Sequence, residues 1–252
     1  LNPVEDLRAY FSLKKYFAAE KFDVVHTHSS KAGIVGRFAA RASGVPVVVH
    51  TVHGQAFHPY EEPWKNFMYK TAERLAARKS DRIFAVAQAM IDQCVAANVA
   101  GREKYKLVYS GMELENLLEA KPDCELRRKL GIPEGAPVVG SIARLFPLKG
   151  YEYFVPAAAE IAKSHPETYF LILGDGIWMD KIAKEAKDLK LNFVFAGLVP
   201  PGEVCRYTAL MDLLMHLSLR EGLPRAVVQA LASAKPAIGF DLDGTPEVIL
   251  HG

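Results

Sequence analysis

Strict alternation is the feature that most limits what this chain can fold into. Short apolar runs and helically spaced segments follow one another from end to end. Residues 5–20 place Leu7, Tyr10, Phe11 and Phe17 at a helical spacing. The runs "FDVVHTH" (22–28), "VPVVVHTVHG" (45–54), "DRIFAVA" (81–87) and "KLVYSG" (106–111) then read as strands. Helical spacing fills 33–43, 63–79 (with Pro63 at its first position) and 88–98 between them. A polar stretch, 113–135, breaks the rhythm with Gly131, Pro133 and Gly135 and reads as a linker region. The rhythm then restarts, with strands at 137–143, 169–176, 192–197, 213–218 and 236–241 and helices at 150–164, 178–189, 201–210 and 224–234. Apolar runs this continuous predict parallel sheets covered by helices on both faces. Two such series predict an α/β chain of two doubly wound parallel-sheet domains, 1–112 and 113–252. In sheets of this kind ligands bind beyond the carboxyl ends of the strands. The loops after the strands are therefore where chemistry is expected.

Composition narrows the partners. Half of the 252 residues are hydrophobic and net charge is +2, which argues against a dedicated nucleic-acid binder. Residues 1–112 hold 16 Lys and Arg against 10 Asp and Glu, and the remainder holds 15 against 19. The basic half suggests an anionic partner such as phospholipid headgroups, or a merely solvated basic face. Cys94, Cys124 and Cys205 lie far apart and form no C-x-x-C, which fits reduced thiols in a cytoplasm better than disulfides or zinc. No apolar run approaches the ~20 residues of a membrane span, and no signal peptide opens the chain. Leu1 stands first, and "GTPEVILHG" stops where another helix is expected to begin, so both ends read as cuts in a longer protein.

Two sets of residues could carry chemistry. Arg144 and Lys149 follow the strand "PVVGSIA", and the helix starting near Gly150 points its positive end at the same loop. Two cations and a helix N-terminus suit a diphosphate. An isolated pair of cations would be ordinary surface charge, but the place at a strand end favours phosphate. In "LREGLPRAVVQALASAKPAIGFDLDGTPEVI" (219–249), Glu221 follows a strand and is expected to open a helix. Gly222 would let backbone approach a ligand closely, although Glu221 could instead be only a helix N-terminal charge. Gln229, eight residues on, would share a helix face with Glu221. Gly244 and Glu247 are expected to open the next helix.

These pieces in order resemble the family 4 retaining glycosyltransferases of the GT-B fold. The stretch 137–250 is similar to their nucleotide-sugar-binding half through "ARLFPLKG", "LGDG", "FAGLVP", "SLREGLPRAVVQALA" and "DGTPEV". Residues 20–112 are similar to part of their acceptor half through "DVVHTHSSKAG", "VVHTVHG", "SDRIFAVA" and "VYSGME". The resemblance implies two Rossmann-like domains facing across a cleft. It implies that Arg144 and Lys149 hold the donor diphosphate and stabilise charge on the departing nucleotide. Glu221 would bind donor-sugar hydroxyls with the N–H groups near Gly222 and Leu223; Pro224 has no N–H to give. Val199 would approach the base through its backbone. The family pattern has a second glutamate where this chain has Gln229, whose amide offers one acceptor oxygen and a donor to the ribose. His53 matches the histidine that faces the sugar. His28, Ser29 and Lys31 could shape the acceptor pocket or simply pack, and His26 and His50 read as packing. The family's opening strand and glycine-rich turn, and its last helices, are not in the sequence, so the fragment alone is expected to be inactive.

The implied reaction transfers a sugar from a nucleotide-diphospho-sugar to a glycan or lipid-linked acceptor with retention, in polysaccharide or glycolipid synthesis. No metal is expected: no D-x-D pair sits in a suitable loop, and Arg144 and Lys149 supply the charge. The expected setting is cytoplasmic, with contact to an anionic membrane face. Alternatives are a sugar-nucleotide epimerase of the same fold and a non-catalytic sugar-nucleotide binder. A NAD-dependent oxidoreductase, prompted by "GDGIWM", is discounted because that run has two of three fingerprint glycines and lies on an interior strand.

Overall fold

Every strand pairing in the computed structural model, which describes residues 3–250, is parallel. The chain divides into two compact units, one up to Ser110 and one from Gly111 onward. The suspected cuts at residues 1–2 and 251–252 lie outside the described residues.

The first unit runs α1 (Pro3–Glu20), β1 (Val24–His28), α2 (Ser30–Ala42), β2 (Val47–Val52), α3 (Pro63–Ala77), β3 (Arg82–Ala85), α4 (Gln88–Ala96) and β4 (Tyr105–Leu107). The strands lie in the order β1-β2-β3-β4. One face of this sheet buries Val25, Val48, Ile83 and Ala85, with Met90, Ile91 and Cys94 of α4 packed beside β3. The other face departs from the expected cover on both sides. Val24 is 53% exposed and Val47 40%, and His26 and His28 are exposed beside them. The physical reason is the strand itself. In "VVHTH" the imidazoles of His26 and His28 alternate with the buried Val25 and Thr27, so β1 turns both of its rings to the face opposite the core. Between the helices, the fully buried Arg37 of α2 donates to Gly33 O at 2.9 Å and to Glu73 of α3 at 2.7 Å. Removing one partner of such a pair strands a buried charge at a cost of about 3–5 kcal/mol.

The second unit contains α5 (Glu115–Leu118), α6 (Cys124–Lys129), β5 (Val138–Ile142), α7 (Tyr151–Ser164), β6 (Tyr169–Leu173), α8 (Met179–Asp188), β7 (Asn192–Gly197), α9 (Val204–Ala209), β8 (Leu213–His216), α10 (Arg225–Ala232) and β9 (Ala237–Gly239). Its sheet has the order β7-β6-β5-β8-β9. Here both faces are covered, as continuous apolar runs require. Phe170 and Ile172 of β6 pack with Phe154 of α7, while Leu171 and Leu173 pack with Val227 and Ala230 of α10. Each such side chain, fully buried, contributes roughly 1.5–3 kcal/mol. The chain steps from β5 outward to β6 and β7, then returns to β8 on the other side of β5. That reversal opens a crevice beyond the carboxyl ends of β5 and β8.

Four local readings change. The polar stretch 113–135 is not bare linker: Leu117 and Leu126 are buried, and α5 packs on α9 and α10. Asp123 caps α6 by accepting from Glu125 N and Leu126 N, and also binds Arg206 at 2.7 Å. The expected helix 201–210 begins as a 3₁₀ turn, Pro201–Glu203, because two successive prolines enter it. Glu221 does not open a helix: it lies in the loop before α10, which starts at Arg225 behind Pro224. The two-turn spacing from Glu221 to Gln229 therefore no longer argues for a shared helix face. The next expected helix is likewise only a 3₁₀ turn, Thr245–Glu247, directly after Gly244.

Candidate functional site

Three loops meet at the carboxyl edge of the second sheet: 143–150 after β5, 217–224 after β8 and 240–244 after β9. Leu148, with φ 66°, presents a carbonyl that accepts from Leu219 N at 3.0 Å and from the Ser218 hydroxyl at 3.3 Å. Gly150, with φ 84°, lies so close to the second loop that a Cβ would sit 1.9 Å from Leu217 O. Only glycine fits both the angle and the space. The Asp243 carboxylate, from the third loop, accepts Glu221 N–H at 2.9 Å. These bonds tie the backbones of the three loops to one another.

Lys149 Nζ donates to Glu221 Oε1 at 2.7 Å, with the two side chains 21% and 19% exposed. The ammonium also lies 3.4 Å from Arg220 O. Behind the carboxylate, His216 Nε2 stands 3.6 Å from the same Oε1, and the residue is 5% exposed. Burial pushes the His216 pKa below its usual value; the Glu221 charge opposes this and Lys149 adds to it. Arg144 is exposed, and its guanidinium lies 5.3 Å over the Phe146 ring. The first turn of α7 begins directly after Gly150 and turns its positive end toward this loop. An ammonium, a guanidinium and a helix N-terminus on one loop suit an anion, and the carboxylate paired with the ammonium has the chemistry to accept from hydroxyls.

The remaining sequence candidates of this unit lie in the Glu221 loop, on α10 and after β7, without bonds to that pair. Gly222 and Pro224 are buried and Leu223 is half-buried in the loop that carries Glu221. Gln229 is half-buried on α10, on the same stripe as the exposed Arg225. Val199 follows β7 and packs against the core that contains Leu171 and Val227.

In the first unit, His53 Nε2 lies 2.9 Å from His28 Nδ1 and the rings stack with centroids 5.2 Å apart. One ring donates and the other accepts, so at least one nitrogen of the pair carries no proton. The His26 ring lies 4.2 Å from that of His28, and its Nε2 bonds Thr51 Oγ1 at 2.7 Å. His26, expected as a packing residue, is instead exposed beside the pair. Burial, then the His28 charge, lowers the His53 pKa; burial, then His28 and His53, lowers that of His26. His50 does pack: it is 2% exposed, bonds Thr27 Oγ1 at 2.9 Å, and burial drives its pKa down to about 3. Lys31 pairs with Asp6 of α1 at 2.8 Å, while Ser29 turns the chain with φ 63°. Among the described residues, no group of three or more His, Cys, Asp or Glu could hold a metal ion.

Sequence reasoning missed His216, Ser218 and Asp243. The signal was present. "MHLS" places an imidazole at the end of an apolar run and a hydroxyl just beyond it, and Asp243 directly precedes Gly244 in a stretch already under suspicion.

Comparisons agree with this architecture. Residues 1–111 match the model of a glycosyl transferase 4-like domain, and residues 123–252 match that of the glycosyl transferases group 1. The chain is 33% identical over 248 residues to a UDP-Gal:alpha-D-GlcNAc-diphosphoundecaprenol alpha-1,3-galactosyltransferase of Escherichia coli, covering 97% of this chain and 64% of that protein. It is 27% identical over 226 residues to a 2-deoxystreptamine glucosyltransferase of Streptomyces kanamyceticus, covering 86% of this chain and 58% of that one. Among solved structures, Anabaena HepE in complex with UDP and glucose matches with TM-score 0.81 and 24% identity, over 96% of this chain and 65% of that one. The chain thus spans under two thirds of the length of each of these relatives.

Proposed function

We propose that this chain, which belongs to the group 1 glycosyl transferases, moves a sugar from a nucleotide-diphospho-sugar to a glycan or lipid-linked acceptor as part of a longer enzyme. The observation that carries the reading is the Lys149–Glu221 contact on the carboxyl edge of the second sheet. Lys149 and Arg144 hold the diphosphate and stabilise charge on the departing nucleotide. The N-terminus of α7 adds its dipole. Glu221 accepts from sugar hydroxyls, supported by the N–H groups of Gly222 and Leu223. Gln229 meets the ribose, Val199 the base, and His53 the sugar from the first unit. Residues 1–112 serve the acceptor and residues 113–252 the donor. Transfer retains the anomeric configuration, with donor phosphate and acceptor hydroxyl on one face of the sugar.

The names of the relatives support the substrate classes: one acts on UDP-Gal and a diphosphoundecaprenol-linked sugar, and another was solved with UDP and glucose. Three free cysteines support a reducing, cytoplasmic setting. Among the described residues no helix is long and apolar enough to cross a membrane. Contact with an anionic membrane face is part of the proposal, carried by the charge excess of residues 1–112 and tested by salt-sensitive co-sedimentation with anionic vesicles. The main test is calorimetric titration with uridine, UDP, UDP-glucose and UDP-galactose. UDP binding far more tightly than uridine supports the reading; equal binding, or none, overturns it. Radiolabelled transfer to a lipid-linked acceptor by the full-length protein then separates transfer from isomerisation or mere binding.

A further inference from the structure

His216 is a buried polar side chain with an unmet need. Its Nε2 is enclosed and makes no hydrogen bond among the described residues. Such groups are rare in folded proteins and call for an explanation. The atom it faces is Glu221 Oε1, 3.6 Å away, beyond hydrogen-bond length but only about half an ångström from it. That oxygen is already taken by Lys149 at 2.7 Å. The loop bearing Glu221 is anchored at its N–H by Asp243 and through Ser218 to Arg220 O, so the backbone stays in place while the carboxylate can turn.

We propose that His216 is a positioning residue for Glu221: when a diphosphate draws Lys149 away, the His216 Nε2–H bonds Oε1 and keeps the carboxylate aimed at the sugar. The inference rests on the donor-site reading above. The exchange conserves bonds. Lys149 trades a carboxylate for a phosphate, and Glu221 trades an ammonium for an imidazole N–H. No proton moves. Burial keeps the imidazole neutral against the pull of the Glu221 charge, so it can donate through Nε2 without adding a charge that would compete for the diphosphate. A leucine or phenylalanine at this strand end would fill the space and leave Glu221 with no partner once Lys149 turned to phosphate.

The test compares wild type with His216→Gln, His216→Asn and His216→Leu in calorimetric titrations with UDP, UDP-glucose and UDP-galactose. Glutamine can place its amide N–H near the Nε2 position; asparagine is too short and leucine has no donor. UDP affinity is expected to stay within about twofold throughout, since His216 does not touch the diphosphate. The ratio of UDP-sugar to UDP affinity is expected to fall about five- to tenfold in His216→Leu and His216→Asn, and to survive in His216→Gln. A purely structural histidine would alter thermal stability and leave that ratio unchanged. Unchanged ratios in the asparagine or leucine variant overturn the inference while leaving the donor-site reading intact. Failure of wild type to bind any of the three ligands overturns both.

Discussion

Lys149 and Glu221 stand 72 positions apart in sequence and 2.7 Å apart in space, each about one-fifth exposed. The cation proposed to receive a phosphate is thus held by a carboxylate from another loop. The pair stores the ammonium in a defined place at the strand end. A ligand with more negative charge than one carboxylate can take it over. The contact also links the two halves of the proposed donor site, diphosphate on one side and sugar hydroxyls on the other.

Neutralising the two partners is expected to have opposite consequences. Lys149→Met removes a charge-assisted bond and should weaken UDP binding by roughly 1.5–3 kcal/mol, about 10- to 150-fold, with uridine unaffected. Glu221→Gln releases Lys149 from its competitor. UDP should then bind as well as before or more tightly, while discrimination between UDP and UDP-sugars is lost. Titration calorimetry reads both. Equal losses for uridine and UDP in Lys149→Met would remove the lysine from the phosphate site.

Gly150→Ala should damage both stability and binding. The left-handed angle costs a residue with a Cβ about 1–2 kcal/mol. Here the Cβ would also meet Leu217 O at 1.9 Å, which is backbone and cannot swing aside. Gly131 provides the control, because its φ is 69° with nothing within 4 Å of an added Cβ. Gly131→Ala should lose only the strain, and Gly150→Ala clearly more, with weaker UDP binding as loops 143–150 and 217–224 part. Denaturant melts of the two variants check this; equal losses would mean that the loop contact contributes nothing.

The sequence made the second sheet readable because its central strands β5 and β6 are apolar at nearly every position, Ser141 being the exception, and only burial on both faces accommodates that. The first sheet misled for the same reason in reverse. Val24, Val47 and Val49 extend apolar runs whose outward face the described residues leave partly open, and His26 and His28 were the warning. Arg144, Lys149 and Glu221 were legible because they occupy strand ends. The pairing of Lys149 with Glu221 was not, since two loops so distant in sequence meet only through the order β5-β8. Glu221 reads as opening a helix because it follows a strand; the helix instead starts at Arg225, behind Pro224. His216 was hidden inside an apolar run, where one imidazole reads as packing until its unbonded Nε2 is seen.

Position 229 offers a test of the ribose contact. A carboxylate there could accept from both ribose hydroxyls, whereas Gln229 accepts through one oxygen and must donate with its NH₂. Gln229→Glu is expected to preserve or tighten UDP binding, because charged acceptors make stronger bonds. Gln229→Ala should weaken it by about 1–3 kcal/mol, the cost of leaving polar partners unpaired. A 2′,3′-dideoxy nucleotide should erase the difference. If all three proteins bind ordinary UDP alike, Gln229 does not touch the ribose.

Acid should destabilise the first unit through His50. Its ring is 2% exposed, holds the Thr27 hydroxyl, and has a pKa near 3 against 6.5 for a free imidazole. Below pH 6.5 the unfolded chain binds a proton at this position that the folded chain refuses, so stability falls as pH falls. The contribution is complete above pH 6.5 and declines steadily down to about pH 3. At roughly 1.4 kcal/mol per pH unit, a drop to pH 4 removes about 3 kcal/mol. His50→Gln stays polar but cannot titrate, and its amide does not reproduce the Nδ1 position that holds the Thr27 hydroxyl. Its denaturation midpoint should start lower than wild type at pH 7.5 and fall less steeply toward pH 4. The neighbouring Gly33 supplies a second handle, since a Cβ there would lie 2.4 Å from the His50 ring. Gly33→Ala should push the imidazole aside, raise its pKa toward the free value, and flatten the acid limb in the same way. Parallel acid limbs in wild type and His50→Gln would show that the ring is protonated as readily folded as unfolded.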